Sequence, residues 1–298
     1  MYERFFGLAE RPFDLTPNPR YLFLTPRHRE ALIHLQYGIA GRKGVTVLTG
    51  EAGTGKTTLV YAALEQQRGQ NACTVYLSNP TLTREEFFEF LAAGFGLSPA
   101  VAGSKTRFLL ELTRIVLDRQ AAGGVTALII DEAQRLPHEL LEEIRLLANI
   151  ETPVEKLLPV VLVGQPEFAD RLNEPSLRQL KQRVALRGTL APLAAEDTVA
   201  YIANRVRIAG GDSRKLFTPD AIQIIHEGSR GIPRTISVIC DNALVGGLAA
   251  DERPVGRNIV LEVCRDFDFQ PDLALIGPDA PAAVKLSAAP PPHRSSFF

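Results

Sequence analysis

The stretch Val45-Thr46-Val47-Leu48-Thr49-Gly50-Glu51-Ala52-Gly53-Thr54-Gly55-Lys56-Thr57-Thr58 decides how this chain is read. Val45 to Thr49 is apolar and β-branched and stops at Gly50, whereas Lys56 to Gln67 has helical character. A buried strand is therefore predicted to run through a glycine loop into a helix. Gly50 to Thr57 also matches G-x-x-x-x-G-K-[ST], in the context that this pattern requires. In such a loop the backbone N–H groups of Gly50, Glu51, Ala52, Gly53, Thr54 and Gly55 curl round phosphate oxygens. The helix N-terminus, with Thr57 and Thr58 in its first turn, adds its positive end. Lys56 then reaches the β- and γ-phosphates and Thr57 ligates Mg²⁺, so a site for ATP and Mg²⁺ is the expectation.

A second stretch, Ala127-Leu128-Ile129-Ile130-Asp131-Glu132, complements the first. An apolar parallel strand that ends in two acids delivers carboxylates to the C-terminal edge of the sheet, where the loop also lies. Asp131 would join the Mg²⁺ shell, through a water, and Glu132 would orient and deprotonate the attacking water. The plainer reading of a lone Asp-Glu is an acidic turn ahead of Pro137; beside the glycine loop, the pair favours ATP hydrolysis over nucleotide storage.

Outward from these stretches, helix and strand keep alternating. Helices are predicted over 27–39, 84–93, 107–121, 139–148 and 176–182, and strands over 73–77, 125–130, 157–163 and 184–190. This is an α/β pattern with a parallel sheet covered by helices on both faces. After Pro192 the period changes, and 197–209, 219–227, 233–248 and 257–267 all read as helices. Three parts follow: an α/β nucleotide-binding domain over 1–191, a small all-helical domain over 192–269, and a Pro/Ala-rich stretch over 270–298 expected to be disordered.

Three further positions carry weaker signals. Gln165 follows the apolar run Val160 to Gly164 at a strand end, where its amide reaches the γ-phosphate or the lytic water, or serves as a turn residue. Arg178 and Arg183 flank a short helix, as basic groups aimed at a neighbour's phosphate or as part of a solvated basic face with Arg171, Lys181 and Arg187. Arg234 follows Gly231-Ile232-Pro233 at a helix start, where Pro suits the first turn. It either reaches back to ATP or is an exposed arginine.

Composition excludes several classes. The 298 residues are 45% hydrophobic and 22% charged, and 33 Lys+Arg against 34 Asp+Glu give a net charge of −1. Neither a polybasic nucleic-acid coat nor an acidic tail protein has this balance. Cys73, Cys240 and Cys264 form no CxxC pair, which argues against a disulfide framework or a zinc site. Glu3 and Arg4 interrupt the opening where a signal peptide needs an apolar core, and no apolar run reaches ~18 residues. A cytoplasmic chain without its own membrane span is expected, peripheral to the inner membrane only through a partner.

The residues resemble an AAA+ ATPase, and more narrowly the ATPase domain of the general secretion pathway protein A family. The resemblance runs over roughly residues 1 to 268. It rests on Met1-Tyr2-Glu3-Arg4-Phe5-Phe6-Gly7-Leu8, Arg11-Pro12-Phe13, Thr16 to Tyr21, Arg27 to Ala31, the loop to Thr57, Ile130-Asp131-Glu132-Ala133-Gln134, Val163-Gly164-Gln165-Pro166, Leu177 to Arg183 and Gly231-Ile232-Pro233-Arg234. It implies a P-loop AAA+ sheet domain followed by a helical lid, in a homo-oligomer, ring or filament, with ATP at the subunit interface. It maps Gln165 to sensor 1, Arg234 to sensor 2, and Arg183, with Arg178 as second choice, to the arginine finger that a neighbour supplies. Tyr21 to Leu24 and His28 resemble the family's approach to the adenine edge. Two departures stand out: sensor 1 is Gln where many relatives carry Asn, and the sequence runs into a Pro/Ala-rich stretch where better-known members continue into a membrane span.

Two functions from different classes fit these residues. One is an oligomeric ATPase that powers or gates an envelope-associated machine of secretion or pilus type, with a protein of that machine as partner. The other is an ATP-switched regulator of the transposition type that binds duplex DNA through the Arg171 to Arg187 cluster, with steep salt dependence.

Overall fold

The computed structural model describes residues 1–16, 18–67 and 72–271. In chain order its elements are α1 (Tyr2–Phe6), α2 (Pro26–Ala40), β1 (Val45–Gly50), α3 (Lys56–Gln67), β2 (Ala72–Leu77), α4 (Arg84–Phe95), α5 (Lys105–Ala121), β3 (Val125–Ile130) and α6 (His138–Leu147). β4 (Val160–Gly164), α7 (Pro166–Arg171), α8 (Arg178–Lys181) and β5 (Val184–Leu190) follow, and then α9 (Ala195–Ile208), α10 (Ser213–Leu216), α11 (Pro219–Ser229), α12 (Pro233–Ala249) and α13 (Arg257–Asp266). Helix starts follow their caps: Thr25 accepts from the His28 amide with Pro26 in the first turn of α2, and Thr83 and Glu86 form a reciprocal capping box on α4.

The chain divides into two compact units, Pro17–Ala191 and Met1–Thr16 together with the chain from Pro192 onward. The first holds a five-stranded sheet in the order β2-β3-β4-β1-β5, with every pairing parallel. β1, β3 and β4 are buried along their whole length. Their side chains alternate between two cores, as the period of a strand demands. Val45, Val47, Leu128, Ile130, Val160 and Leu162 face one core with Phe87, Phe108, Leu112, Leu140 and Phe168. Leu48, Ala127, Ile129, Val161 and Val163 face the other with Ala31, Leu35 and Ile39 of α2 and Leu59, Val60 and Ala63 of α3. Helices on both faces of a parallel sheet agree with the α/β reading of the sequence.

Two expectations are corrected. The strand expected from Leu157 begins only at Val160, because residues 151–156 double back through a Glu151–Lys156 bridge and the Leu157 amide donates to Ile150 O at 2.9 Å. Residues 1–16, expected to belong to the sheet domain, pack instead with the helical unit. There Phe13 is buried edge-on against Phe217, with ring centroids 6.2 Å apart, and the buried Arg205 guanidinium donates to Pro12 O and Asp14 O at 2.5 and 3.0 Å. The Tyr2 hydroxyl adds a bond to Asp241 of α12. The stretch 270–298 lies outside the described residues apart from Gln270 and Pro271, which form no helix or strand. Among the described residues, no helix is long and apolar enough to cross a membrane.

Candidate active site

β1 ends at Gly50 and α3 starts at Lys56, so the glycine loop occupies the C-terminal edge of the sheet. Gly53 and Gly55 take φ of 85° and 94°, a region that side-chain-bearing residues rarely enter. The Leu59 amide makes the first α3 bond, to Gly55 O at 3.0 Å, which leaves the N–H groups of Gly55, Lys56, Thr57 and Thr58 as the orphan donors of the helix start. The loop closes on itself through Thr54 Oγ1 to Glu51 O at 2.8 Å. Buried His28 braces it from α2, its ring nitrogens lying 2.6 Å from Thr25 Oγ1 and 3.4 Å from Thr54 O. Lys56 Nζ donates to Gly50 O and Glu51 O at 2.7 and 2.9 Å. Burial pushes the Lys56 ammonium below the usual lysine value, and the carboxylates of Glu132, Asp131, Glu51 and Glu167 oppose that shift.

β3 neighbours β2 and β4, and its end carries the two acids to the loop. Thr57 Oγ1 donates to Asp131 Oδ2 at 2.9 Å, and the Tyr76 hydroxyl donates to the same oxygen at 2.7 Å. Asp131 Oδ1 accepts from the Glu132 amide at 2.9 Å. Burial and the bond to Asp131 both push the Tyr76 hydroxyl pKa up, so it stays a donor. Thr57 and Asp131 are hard oxygen ligands side by side, the set that suits Mg²⁺. Among the described residues no group of three or more His, Cys, Asp or Glu stands ready to cage an ion, and Mg²⁺ in nucleotide sites takes its remaining ligands from phosphate and water.

Glu132 has φ 54° and ψ 38°, a left-handed conformation that is rare outside glycine and that clusters at functional sites. Its Oε2 accepts from Gln134 Nε2 at 2.6 Å and from Gln165 Nε2 at 3.4 Å. Gln134 Oε1 in turn accepts from the Gln165 backbone N–H at 3.1 Å. Gly164, the last residue of β4, makes room for this contact: a Cβ there would lie 3.0 Å from Phe168 Cβ and 3.1 Å from Gln134 Oε1. Half-buried Arg171 donates from Nη1 to Gln134 O and Leu136 O at 2.7 and 2.9 Å, which ties α7 to the segment after β3.

The structure thus brings Gly50 to Thr58, Asp131, Glu132 and Gln165 to one edge of the sheet. It places Arg183 at the other: Val45 pairs with Val184 in the β1–β5 register, and Gly50 pairs with Leu190. About 16 Å of strand therefore separates Arg183 from the loop of its own chain. Arg183 is half-buried and its Nε has no hydrogen-bond partner, whereas Arg178 is exposed. The basic face that the sequence suggested is not continuous, because Arg171 is occupied by backbone carbonyls and Lys181 Nζ donates to Asn173 at 2.7 Å. Arg234 lies in the other unit, exposed in the first turn of α12. Gly231 just ahead of it has φ 70° and meets the 192–194 segment so closely that a Cβ would stand 2.1 Å from Leu193 O. Tyr76, Gln134 and Arg171 are site residues to which sequence reasoning assigned no role there. Gln134 sits inside the Asp131-Glu132-Ala133-Gln134 string, and Tyr76 is a polar-tipped aromatic at the end of the strand beside β3.

Residues 39–172 match the family described as AAA domain. Over 250 residues the chain is 45% identical to the general secretion pathway protein A of Aeromonas hydrophila, covering 84% of this chain and 45% of the relative, about half of its length. The Aeropyrum pernix ORC2 protein in ADPNP–ADP complexes has a TM-score of 0.64 at 18% identity, over 87% of this chain and 72% of that one. The Aeropyrum pernix ORC1 protein in complex with DNA gives 0.59 at 17%, over 83% and 67%. The Thermotoga maritima RuvB Holliday junction branch migration motor gives 0.50 at 16%, over 81% and 70%. At such identities these three likenesses are ones of fold. This chain carries an AAA domain over residues 39–172, and the glycine loop, Asp131, Glu132 and Gln165 all lie within it.

Proposed function

We propose that this protein hydrolyses ATP to ADP and phosphate with Mg²⁺, as a homo-oligomer that serves an envelope-associated machine. The observation that carries the hydrolase reading is the bond from Thr57 Oγ1 to Asp131 Oδ2, which joins the phosphate loop and the acidic strand end at one point with Glu132 beside it. When bound, Mg²⁺ withdraws charge from the phosphate oxygens. Lys56 and the N–H groups of the loop and helix start would hold the β- and γ-phosphates, and Thr57 and Asp131 would hold the cation, Asp131 through a water. Glu132 orients a water and takes its proton as the oxygen attacks the γ-phosphorus in line. Gln165 donates its amide toward the same region.

The homo-oligomer is part of the proposal because the step gains from one more positive charge on the γ-phosphate. A guanidinium on the γ-phosphate is worth ~10³–10⁵ in rate, and Arg183, the first candidate with Arg178 as second, lies about a strand's length from its own loop. A neighbouring copy supplies it instead. Arg234, on the helical unit, acts as the sensor on the lid. The envelope role, with a cytoplasmic location and a protein partner, rests on similarity to the Aeromonas secretion protein. The test is ATP turnover per subunit across protein concentrations, with and without duplex DNA at low salt. The proposal expects a rate that rises with concentration and ignores DNA. A concentration-independent rate contradicts the shared site, and a DNA-stimulated one favours the transposition-type regulator.

A further inference from the structure

We infer that Gln134 is a positioning residue for the hydrolytic step, anchoring Glu132 by one carboxylate oxygen so that the other is left to receive the proton of the attacking water. The inference rests on the hydrolase reading above. Glu132 is reached by two amides, and both act on Oε2: Gln134 Nε2 at 2.6 Å and, more weakly, Gln165 Nε2 at 3.4 Å. No hydrogen bond to Oε1 is made among the described residues. The short bond from Gln134 fixes the plane and direction of the carboxylate and points its other oxygen away from both amides. Gln134 is itself held at both ends. Its backbone carbonyl accepts from the Arg171 guanidinium at 2.7 Å, and its side-chain oxygen accepts from the Gln165 N–H at 3.1 Å. An amide is the side chain this place requires, since it must donate to a carboxylate and accept from a backbone N–H at the same time.

The same bonds couple the acid to the strand end that carries Gln165. Any displacement of the Gln165 backbone moves Gln134 Oε1, and with it the donor on Glu132. In the reaction, the water proton passes to Glu132 Oε1 while the water oxygen bonds to the γ-phosphorus. The bond from that phosphorus to the β–γ bridging oxygen breaks, and the proton then leaves the carboxyl for a phosphate oxygen of the product. Gln134 touches neither water nor phosphate; it holds the acceptor in line. Preorganised polar groups of this kind cost no rearrangement at the moment of reaction.

The full chain with Gln134→Met, which keeps size and loses both hydrogen bonds, and with Gln134→Glu, which keeps length and the acceptor for Gln165 N–H but loses the donor, tests this role. ADP affinity with Mg²⁺ is measured alongside affinity for ADP–aluminium fluoride, a mimic of in-line attack. We expect ADP affinity and KM within two-fold of the parent, and affinity for ADP–aluminium fluoride and kcat each at least ten-fold lower, for both variants. Gly164→Ala, whose methyl would press on Phe168 Cβ at 3.0 Å and on Gln134 Oε1 at 3.1 Å, shows the same split more weakly and serves if both Gln134 variants fail to fold. Folded variants with parental kcat and ADP–aluminium fluoride affinity overturn the role of Gln134 alone. A parent chain that binds ADP yet neither turns over ATP nor takes ADP–aluminium fluoride overturns the hydrolase reading and this inference with it.

Discussion

Tyr76→Phe removes one oxygen from the candidate metal site and leaves its ring in place, packed 5.4 Å from the Tyr61 ring at 31°. The parent hydroxyl is one of two donors on Asp131 Oδ2, at 2.7 Å beside Thr57 at 2.9 Å, while Oδ1 is held by the Glu132 N–H. A hydrogen bond to a charged acceptor contributes ~1.5–3 kcal/mol. Two donors remain on the carboxylate, so the lower end applies, and the orientation of Asp131 toward Mg²⁺ weakens by ~1.5 kcal/mol, or ~10-fold. The assay is binding of a fluorescent ADP analogue across a Mg²⁺ titration, repeated in EDTA. The expected result is a Mg²⁺ midpoint raised ~10-fold with metal-free affinity unchanged, because phosphate contacts through Lys56 and the loop do not involve Tyr76. An unmoved midpoint refutes the reasoning. So does an equal loss in EDTA, which places the effect on the fold of the loop instead.

Arg183→Ala leaves nucleotide affinity unchanged and lowers kcat by ~10³ or more; mixing it with Glu132→Gln restores part of the rate, because one kind of interface regains both an intact acid and an intact finger. Absence of rescue in the mixture contradicts a finger supplied across the interface. A pH effect is expected in the helical unit, where burial holds the His226 ring, 2.9 Å from Thr198 Oγ1, below the ordinary histidine value of 6.5. The unfolded chain then binds more protons than the folded one below about pH 6.5, so this contribution is full above that pH and is lost as the pH falls toward the depressed folded value. Thermal midpoints measured from pH 7.5 to 5.5 fall for the parent and fall less for His226→Gln; equal slopes exclude His226 as the source.

Much of the site was legible because its chemistry is written in short contiguous strings. The loop from Gly50 to Thr57 and the acids after Ile130 announce themselves by residue type, and β1, β3 and β5 by unbroken or alternating apolar runs. What escaped depends on contacts between distant segments. Residues 1–16 read locally as a lead-in to the sheet, and only the burial of Phe13 against Phe217 and the reach of Arg205 to Pro12 assign them to the helical unit. Arg171 reads as one member of a basic cluster, yet its guanidinium serves the carbonyls of Gln134 and Leu136. The early start expected for β4 had a local cause: Leu157 and Leu158 are buried like strand residues, but they lie on the return of a turn. Tyr76 carries no motif at all; its hydroxyl matters only because β2 pairs with β3 in the register Tyr76 to Ile129, close to Asp131.

The central claim is that this site binds ATP through its loop and cleaves it through Glu132, and one comparison tests it most directly. ATP affinity and single-turnover hydrolysis are measured with Mg²⁺ for the parent chain and for Glu132→Gln at the same subunit concentration. The account predicts affinities within two-fold of each other and hydrolysis at least ~10²-fold slower in the variant, the scale of a lost general base. Parental hydrolysis by Glu132→Gln, or equal loss of binding and turnover, contradicts it.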